Sequence, residues 1–315
     1  MVEFIENLRQ TLNTTYQITL NCYRFLNFKG SDVLLKSANL PYTYLSDCHS
    51  HSSFSPDSSE SIDVLCQRAQ ELGLYAYTLT DHCECHEYLG SSLGFVYAEQ
   101  SRQAFACMTK KQDELRGKLR FYKGVELGQP MQNLMAAEEV LQRNYDFVLG
   151  SVHNIKGYED FYFLDYHQIS DEEIDNILTA YFDEIISMIE WGGFDSLSHL
   201  TYPLRYICGE HGIAVDLSRH KDEIETIFSL LIQKGKSMEI NTSGLRQKIG
   251  TTLPDYPLLK QYYDMGGRLI TIGSDAHVAK DLGKGIDTGF ELLKQAGFSE
   301  FAIYENRTPK LLPIQ

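Results

Sequence analysis

From residue 42 onward, short and mostly apolar runs alternate with longer stretches in which apolar residues recur every three or four positions. Short apolar runs are typical of buried strands, and the longer spacing is typical of amphipathic helices. One such helix is predicted from the spacing of Ile62, Leu65, Ala69 and Leu72, and Gly73 is expected to end it. Seven strands are predicted, at residues 42–46, 74–79, 119–125, 147–152, 194–198, 237–240 and 268–272.

This alternation determines the predicted fold class. Strands separated by helices form a mainly parallel sheet, and seven or eight such units in about 270 residues predict a closed or nearly closed α/β barrel. The helix after Ile169 is expected to begin with a capping box formed by Ser170 and Glu173. Acids in its first turn also face the positive end of the helix dipole.

The first 41 residues lack the alternation. Phe4, Leu8 and Leu12 predict one amphipathic helix, and residues 26–40 have the character of loop or irregular cover. The predicted organisation is therefore an N-terminal extension over residues 1–43, packed on the barrel, and one barrel domain over residues 44–315.

Composition narrows the class of protein. Among 315 residues, 43% are hydrophobic and 23% charged, as in ordinary globular proteins. A formal net charge of −15 disfavours a nucleic-acid partner and an anionic membrane surface. No stretch approaches the roughly 18 apolar residues of a membrane span, and the first residues do not resemble a signal peptide, so a cytoplasmic location is expected. Seven scattered cysteines fit reduced thiols there.

Candidate chemistry appears first in the segment Asp47-Cys48-His49-Ser50-His51. In an extended segment, residues two apart point to the same side, so both imidazoles can reach one ion. A pair of this kind is equally typical of a protein surface. The segment alone therefore does not decide between a metal site and a surface pair.

Further histidines and acids follow the later predicted strands, always at the C-terminal end. In parallel α/β barrels these ends meet on one rim. Buried carboxylates need cations or donors, and imidazole with carboxylate suits catalytic Zn, Mn or Fe. Six histidines and three carboxylates exceed what one ion needs, so two or three ions are predicted. In strand order these nine are His49, His51 and Asp57; His82; Glu126; His153; His199; Asp275 and His277, and the same strand ends also carry Asp81, Glu239 and Asn241.

These motifs and their order resemble those of the PHP (polymerase and histidinol phosphatase) superfamily. The matching segments are Asp-Cys-His-Ser-His with Asp57, and the runs at 80–82, 124–128, 150–153 and 273–277. Within the superfamily the chain is most similar to the monofunctional histidinol-phosphate phosphatases, through Asp-Phe-Tyr-Phe at 160–163 and Asn-Thr-Ser-Gly-Leu-Arg at 241–246. The similarity runs from about residue 44 to 300. Residues 1–43 exceed the short start typical of that group.

The resemblance implies an α/β fold of a definite kind, a distorted (β/α)7 barrel of the PHP type that carries three divalent ions, Zn, Fe or Mn. Glu126 would bridge two ions, and Asp57 stands where other members carry histidine. Carried over by position, the ligands would be His49, His51, Glu126 and Asp275 for the first ion; Glu126, His153 and His199 for the second; Asp57, His82 and His277 for the third.

The resemblance also implies a metal-dependent phosphomonoesterase that hydrolyses L-histidinol phosphate to L-histidinol and phosphate in histidine biosynthesis. A metal-bound hydroxide is expected to attack, with a water, His277 or Asp275 protonating the leaving alcohol. Arg246 and Arg205 are candidate phosphate ligands, the alternative for each being an ordinary surface arginine. Two other functions stay open: a phosphatase of this superfamily for another monoester, such as phosphotyrosyl protein or a small metabolite, and a non-catalytic metal-binding barrel. The oligomeric state is not predicted.

Two groups of nearby residues have two interpretations each. Asp47 and Asp81 either accept the second ring N–H of a ligand histidine or cap their own loops. The Cys-Glu-Cys-His run at 83–86 is interpreted as a specificity loop, because a separate structural zinc site would need further ligands.

The loop after the fourth predicted strand also carries candidate substrate contacts. Tyr158, Phe161 and Tyr162 lie close enough to that strand to line a pocket for an imidazole. Asp160 and Glu159 either meet a cationic group of the substrate or belong to a solvated loop.

Overall fold

The computed structural model describes residues 42–85 and 93–315. The expected N-terminal helix, with Phe4, Leu8 and Leu12, lies outside the described residues, and so does most of the predicted extension. Among the helices of the described part, none combines the length and the hydrophobicity that a bilayer crossing requires.

Eight parallel strands form the wall of the barrel. Their order in the sheet is β1-β2-β4-β5-β6-β7-β8, and β3 pairs with β4 outside this path. The N–H of Cys48 donates to Ile272 O at 3.0 Å, and the N–H of Asp275 donates to His49 O at 2.8 Å. These bonds join the first strand to the last, so the predicted parallel barrel is confirmed. The strands are β1 (Ser46–Asp47), β2 (Ala76–Leu79), β3 (His82–Glu84), β4 (Arg120–Gly128), β5 (Phe147–Ser151), β6 (Ser196–Leu197), β7 (Ser237–Asn241) and β8 (Ile270–Gly273).

Helices follow the strands and bury one face each against the sheet or a neighbouring helix. The helix predicted from the 3-4-3 spacing is confirmed, with Ile62, Leu65 and Ala69 buried and Gly73 in a left-handed conformation just past its end. The described helices of eight or more residues are α1 (Ile62–Glu71), α2 (Leu93–Glu114), α3 (Leu134–Leu141), α4 (Asp171–Trp191), α5 (Lys221–Lys234), α6 (Tyr256–Asp264) and α7 (Ile286–Ala296).

Two predicted strand boundaries are wrong. The first strand begins at Ser46 and not at residue 42, because Tyr42 and Tyr44 belong to the entering turn and pack on other aromatic rings. The third predicted strand extends to Gly128, since β3 pairs with its C-terminal half and places His82 opposite Glu126. Glu126 therefore lies inside a strand, where its side chain points into the barrel mouth.

A C-terminal hairpin is an addition to the predicted elements. It consists of β9 (Glu300–Glu305) and β10 (Thr308–Pro313), paired antiparallel. Its turn residue Arg307 is ion-paired with Asp195, and the Tyr304 hydroxyl bonds to Ser237 Oγ at 2.7 Å. Asp195 and Ser237 lie where β6 and β7 begin, so the hairpin covers the end of the barrel opposite the candidate ligands.

The start of α4 provides a test of local stability. Ser170 Oγ accepts the N–H of Glu173 at 3.2 Å, while the Glu173 carboxylate accepts from Tyr158 and does not complete the capping box. Ser170→Ala is expected to lower the free energy of unfolding by about 1 kcal/mol, because an orphan N–H loses its acceptor. Urea unfolding measures this.

Ser187→Ala in the middle of the same helix is the control. Its hydroxyl only bonds back to Asp183 O, an interaction that adds little to helix stability. Equal losses in the two variants would contradict the capping role.

Candidate metal centre and active site

The nine predicted ligand residues lie together at the C-terminal end of the strands. Seven of them line a cavity of about 560 Å³. The other two, His49 and His51, are fully buried behind it and contact Glu126. The residues of this set that line the cavity are Asp57, His82, Glu126, His153, His199, Asp275 and His277.

The carboxylate of Glu126 is the centre of the cluster, and it is fully buried. Each of its two oxygens faces a different group of imidazoles. Oε1 lies 3.2 Å from His153 Nε2 and 2.9 Å from His199 Nε2. Oε2 lies 3.3 Å from His49 Nε2, 3.4 Å from His51 Nε2 and 3.0 Å from His82 Nδ1.

The pair His49 and His51 brings two ring nitrogens close together. His49 Nδ1 lies 2.7 Å from Glu239 Oε1 and must carry the proton, because a carboxylate only accepts. Ser55 Oγ donates to Asp81, so it accepts from His51 Nδ1 at 3.2 Å. In the neutral imidazoles both Nε2 atoms are then unprotonated, yet they lie only 3.1 Å apart. Such an arrangement requires a cation between or beside them.

The pair His153 and His199 repeats this pattern. His153 Nδ1 donates to Glu84 Oε1 at 3.1 Å. Ser198 Oγ donates to Gly150 O and accepts from His199 Nδ1 at 3.4 Å. The two Nε2 atoms face each other at 3.3 Å. A second cation is therefore favoured at the other oxygen of the central carboxylate.

The third group of candidate ligands is closer to solvent. Asp57 Oδ2 lies 2.9 Å from His277 Nε2 and 3.5 Å from His82 Nε2. The side chain of Asp57 is 51% exposed and that of His277 is 29% exposed. His277 Nδ1 approaches Asp275 O at 3.1 Å, so its Nε2 is the nitrogen that faces the cavity.

The close packing of carboxylates and imidazoles shifts the pKa values of Glu126 and His153. Burial alone would raise the pKa of Glu126, but the imidazoles of His49, His153 and His82 outweigh it and hold that pKa well below its usual range. Burial lowers the pKa of His153, yet Glu84 and Glu126 raise it to about 10. Negative charge thus stabilises a positive charge at these nitrogens, whether a proton or a metal ion carries it.

The donor set fits divalent metal ions. Glu126 Oε2 and His82 Nδ1 are buried and approach to 3.0 Å, but neither atom makes a hydrogen bond to a described residue. Buried polar atoms without partners are rare unless an ion or water completes them. Three triads have ligand atoms within 4.8 Å of one another: His49, His51 and Asp275; His82, Glu126 and His153; His51, His82 and His277.

The two candidate phosphate-binding arginines occupy different places. Arg205 is buried, lines the cavity and donates from Nη2 to Asp275 Oδ2 at 2.9 Å, while its Nε makes no hydrogen bond to a described residue. Arg246 lies outside the cavity lining and donates to Ser274 O at 2.8 Å. It therefore supports the backbone just before Asp275, a residue held in the left-handed region at φ +54°.

The structure decides between the two interpretations of Asp47 and Asp81. Asp47 accepts the N–H groups of Ser274 and Gly283, each at 2.9 Å. Asp81 accepts the N–H of Ser52 at 2.6 Å. Neither carboxylate contacts an imidazole of a described residue, and both cap loops of the rim.

The carboxylates that do orient imidazoles are Glu239 and Glu84, and the sequence does not predict this role for either. It places Glu239 only at a strand end and Glu84 in a specificity loop. Glu84 instead lies in β3, and its carboxylate fills the space beside Gly128, where a Cβ would lie 2.0 Å from Oε2. Both glutamates could have been predicted from one criterion, a carboxylate in a strand next to a strand that carries a candidate metal ligand.

Comparison with known proteins gives consistent matches. The model of the PHP domain family matches residues 47–243. A probable histidinol-phosphatase of Thermotoga maritima is 32% identical over 82% of this chain and 94% of its own length. A histidinol-phosphatase of Lactococcus lactis subsp. lactis is 27% identical over 82% of this chain and 93% of its own.

Solved structures show the same likeness. The histidinol phosphate phosphatase of Lactococcus lactis subsp. lactis, in complex with zinc, L-histidinol and phosphate, superimposes with a TM-score of 0.67 at 25% identity, covering 85% of this chain and 99% of its own. A putative histidinol phosphatase of Listeria monocytogenes shares the fold, with a TM-score of 0.65 at 17% identity, covering 77% and 99%.

Proposed function

Because the chain belongs to the PHP domain family, we propose that it is a metal-dependent phosphomonoesterase that hydrolyses L-histidinol phosphate to L-histidinol and phosphate. One observation carries the proposal: two pairs of closely spaced imidazole Nε2 atoms lie one at each oxygen of the shared Glu126 carboxylate, beside a cavity. The complex of the Lactococcus relative with zinc, L-histidinol and phosphate supports the substrate.

Divalent ions bound in this cluster would lower the pKa of bound water and neutralise phosphoryl oxygens. Zn, Fe and Mn all suit imidazole and carboxylate ligands, and zinc is the metal in the Lactococcus complex. We assign three ions to the donors: His49, His51, Glu126 and Asp275 hold the first, Glu126, His153 and His199 the second, and Asp57, His82 and His277 the third.

The remaining polar groups position the ester. Monoester transfer is loose, so charge and orientation contribute more than a covalent nucleophile. Arg205 lines the cavity and is assigned to the phosphoryl group, whereas Arg246 is assigned to holding the Asp275 backbone. Of the candidate proton donors, a water is favoured, because His277 Nε2, the nitrogen that faces the cavity, is assigned to the third ion and Asp275 Oδ2 already accepts from Arg205.

Phosphate release from L-histidinol phosphate by the metal-replete protein tests the function, beside a phosphotyrosyl peptide and common sugar and nucleotide monoesters. The expected result is a kcat/KM within about 10⁴ to 10⁸ M⁻¹s⁻¹ for L-histidinol phosphate and far lower values for the others. Chelation should abolish release, and added Zn or Mn should restore it.

Each alternative function predicts a different result. A preference for the peptide or for a sugar ester would support a phosphatase that acts on a substrate other than L-histidinol phosphate. Retained metal without turnover of any ester would indicate a non-catalytic metal-binding barrel.

A further inference from the structure

One carboxylate of the cavity has no ion-pair partner among the described residues. Asp160 lines the cavity, and its Oδ1 accepts the N–H of Tyr162 at 2.8 Å and the hydroxyl of Tyr202 at 3.3 Å. Its Oδ2 makes no hydrogen bond and no ion pair within residues 42–85 and 93–315. The four other carboxylates of the lining, Asp57, Glu84, Glu126 and Asp275, each contact an imidazole or a guanidinium.

The described residues therefore donate hydrogen bonds to only one oxygen of this carboxylate. Burial raises the pKa of Asp160, although the charge of His153 acts in the opposite direction. A partly buried carboxylate gains most from a cation that brings its own hydrogen-bond donors. The cavity supplies the space for such a cation next to Oδ2.

Aromatic rings surround the same part of the cavity. Tyr162 and Phe163 line it, are each 64% exposed, and have ring centroids 5.0 Å apart. The ring of Tyr206 lies 5.7 Å from that of Tyr162. Large exposed aromatic residues that cluster in this way typically mark a binding surface. Their faces suit a planar ring or a cation.

Tyr202 connects this aromatic end to the candidate metal centre. Its ring centroid lies 4.9 Å from that of His153, and the Arg205 guanidinium lies 5.0 Å from the same Tyr202 ring. The cavity thus has one end built for an anion, at Arg205 and the imidazole cluster, and one end built for a cation, at Asp160.

We propose that Asp160 binds the ammonium group of the substrate's alcohol half, with Tyr162, Phe163 and Tyr206 contacting its ring. This inference rests on the proposed function and adds the basis of substrate choice: amino-alcohol phosphates are selected over neutral monoesters. The ammonium is the ionic partner because an alkyl ammonium titrates well above pH 7, whereas an imidazole is largely neutral there.

Kinetics of the metal-replete protein on two substrates test the subsite. Asp160→Asn keeps an oxygen that can accept the Tyr162 N–H but removes the charge. We expect it to lower kcat/KM for L-histidinol phosphate by about 10- to 100-fold, since a hydrogen bond to a charged group is lost. For p-nitrophenyl phosphate, which has no ammonium, kcat/KM should stay within about twofold.

Asp165→Asn is a matched control. Asp165 caps a neighbouring three-residue turn by accepting the N–H of His167, as Asp160 does for Tyr162, but it is exposed and outside the cavity lining. Both substrates should be hydrolysed normally by this variant. Equal losses on both substrates in Asp160→Asn, or no loss on L-histidinol phosphate, would overturn the inference.

Inhibition separates this inference from the proposed function. L-Histidinol and L-phenylalaninol should compete with p-nitrophenyl phosphate, and their inhibition constants should rise by about 10-fold or more in Asp160→Asn, whereas neutral 3-phenylpropanol should bind weakly to both proteins. Failure of the wild type to hydrolyse L-histidinol phosphate, with amine inhibition still dependent on Asp160, would refute the substrate and retain the subsite. If the wild type hydrolyses L-histidinol phosphate but Asp160→Asn leaves the inhibition constants unchanged, the substrate would be retained and the subsite refuted.

Discussion

Glu126→Gln is expected to lower kcat/KM for L-histidinol phosphate by about 10³-fold or more. The substitution replaces a charged oxygen by an amide that cannot serve two groups of imidazoles at once. Weaker metal binding and weaker charge neutralisation should raise the activation free energy by several kcal/mol. Since each tenfold change in rate corresponds to about 1.4 kcal/mol, this gives a fall of about 10³-fold in kcat/KM. Metal content should fall as well, which elemental analysis of the purified variant measures.

The control for this variant is Glu300→Gln. Glu300 is exposed and lies at the start of β9, at the end of the barrel opposite the candidate ligands. It should keep both metal content and activity. A Glu126→Gln protein with a full complement of metal and normal kinetics would refute the central role of this carboxylate.

Arg205→Met is expected to have the second largest effect. The buried guanidinium is the cationic partner of Asp275, and Arg205 lines the cavity. Truncating one member of a buried charge pair costs about 3–5 kcal/mol of stability, because the other charge is left unpaired. Loss of the phosphate contact should also raise KM and lower kcat/KM by about 10²-fold.

Two measurements separate stability from binding in this variant. Thermal unfolding reports the loss of the ion pair, and inhibition by inorganic phosphate reports the anion site. Arg205→Lys should recover part of the stability and little of the phosphate affinity, since a lysine cannot form the planar, two-pronged contact. Reduced stability with unchanged inhibition by phosphate would confine Arg205 to a structural role.

Much of the site was predictable because strand ends of a parallel barrel converge. His153, His199 and Asp275 are far apart in sequence, but each follows a predicted strand, and the rule places them on one rim. The barrel itself follows from the alternation of apolar runs and helical spacing. The grouping of the candidate ligands therefore follows from the order of residues along the chain.

Side-chain direction was not predictable in the same way. Arg246 and Arg205 both follow strands, yet one turns toward backbone carbonyls and the other into the cavity. Glu84 lies in a three-residue strand too short to show periodicity. The hairpin strand β10 is largely exposed and has prolines at positions 309 and 313, so its sequence does not resemble a buried strand.

The closure of the barrel between its first and last strands has a consequence for when the protein becomes active. During synthesis, the histidines at 49 and 51 leave the ribosome long before the carboxylate at 275, and the hydrogen bond from Asp275 to His49 forms only afterwards. A nascent chain thus offers an incomplete set of ligands. We expect the metal ions to bind only after the finished chain is released. Translation would then limit how soon the folded protein appears, and metal supply would limit how soon it becomes active.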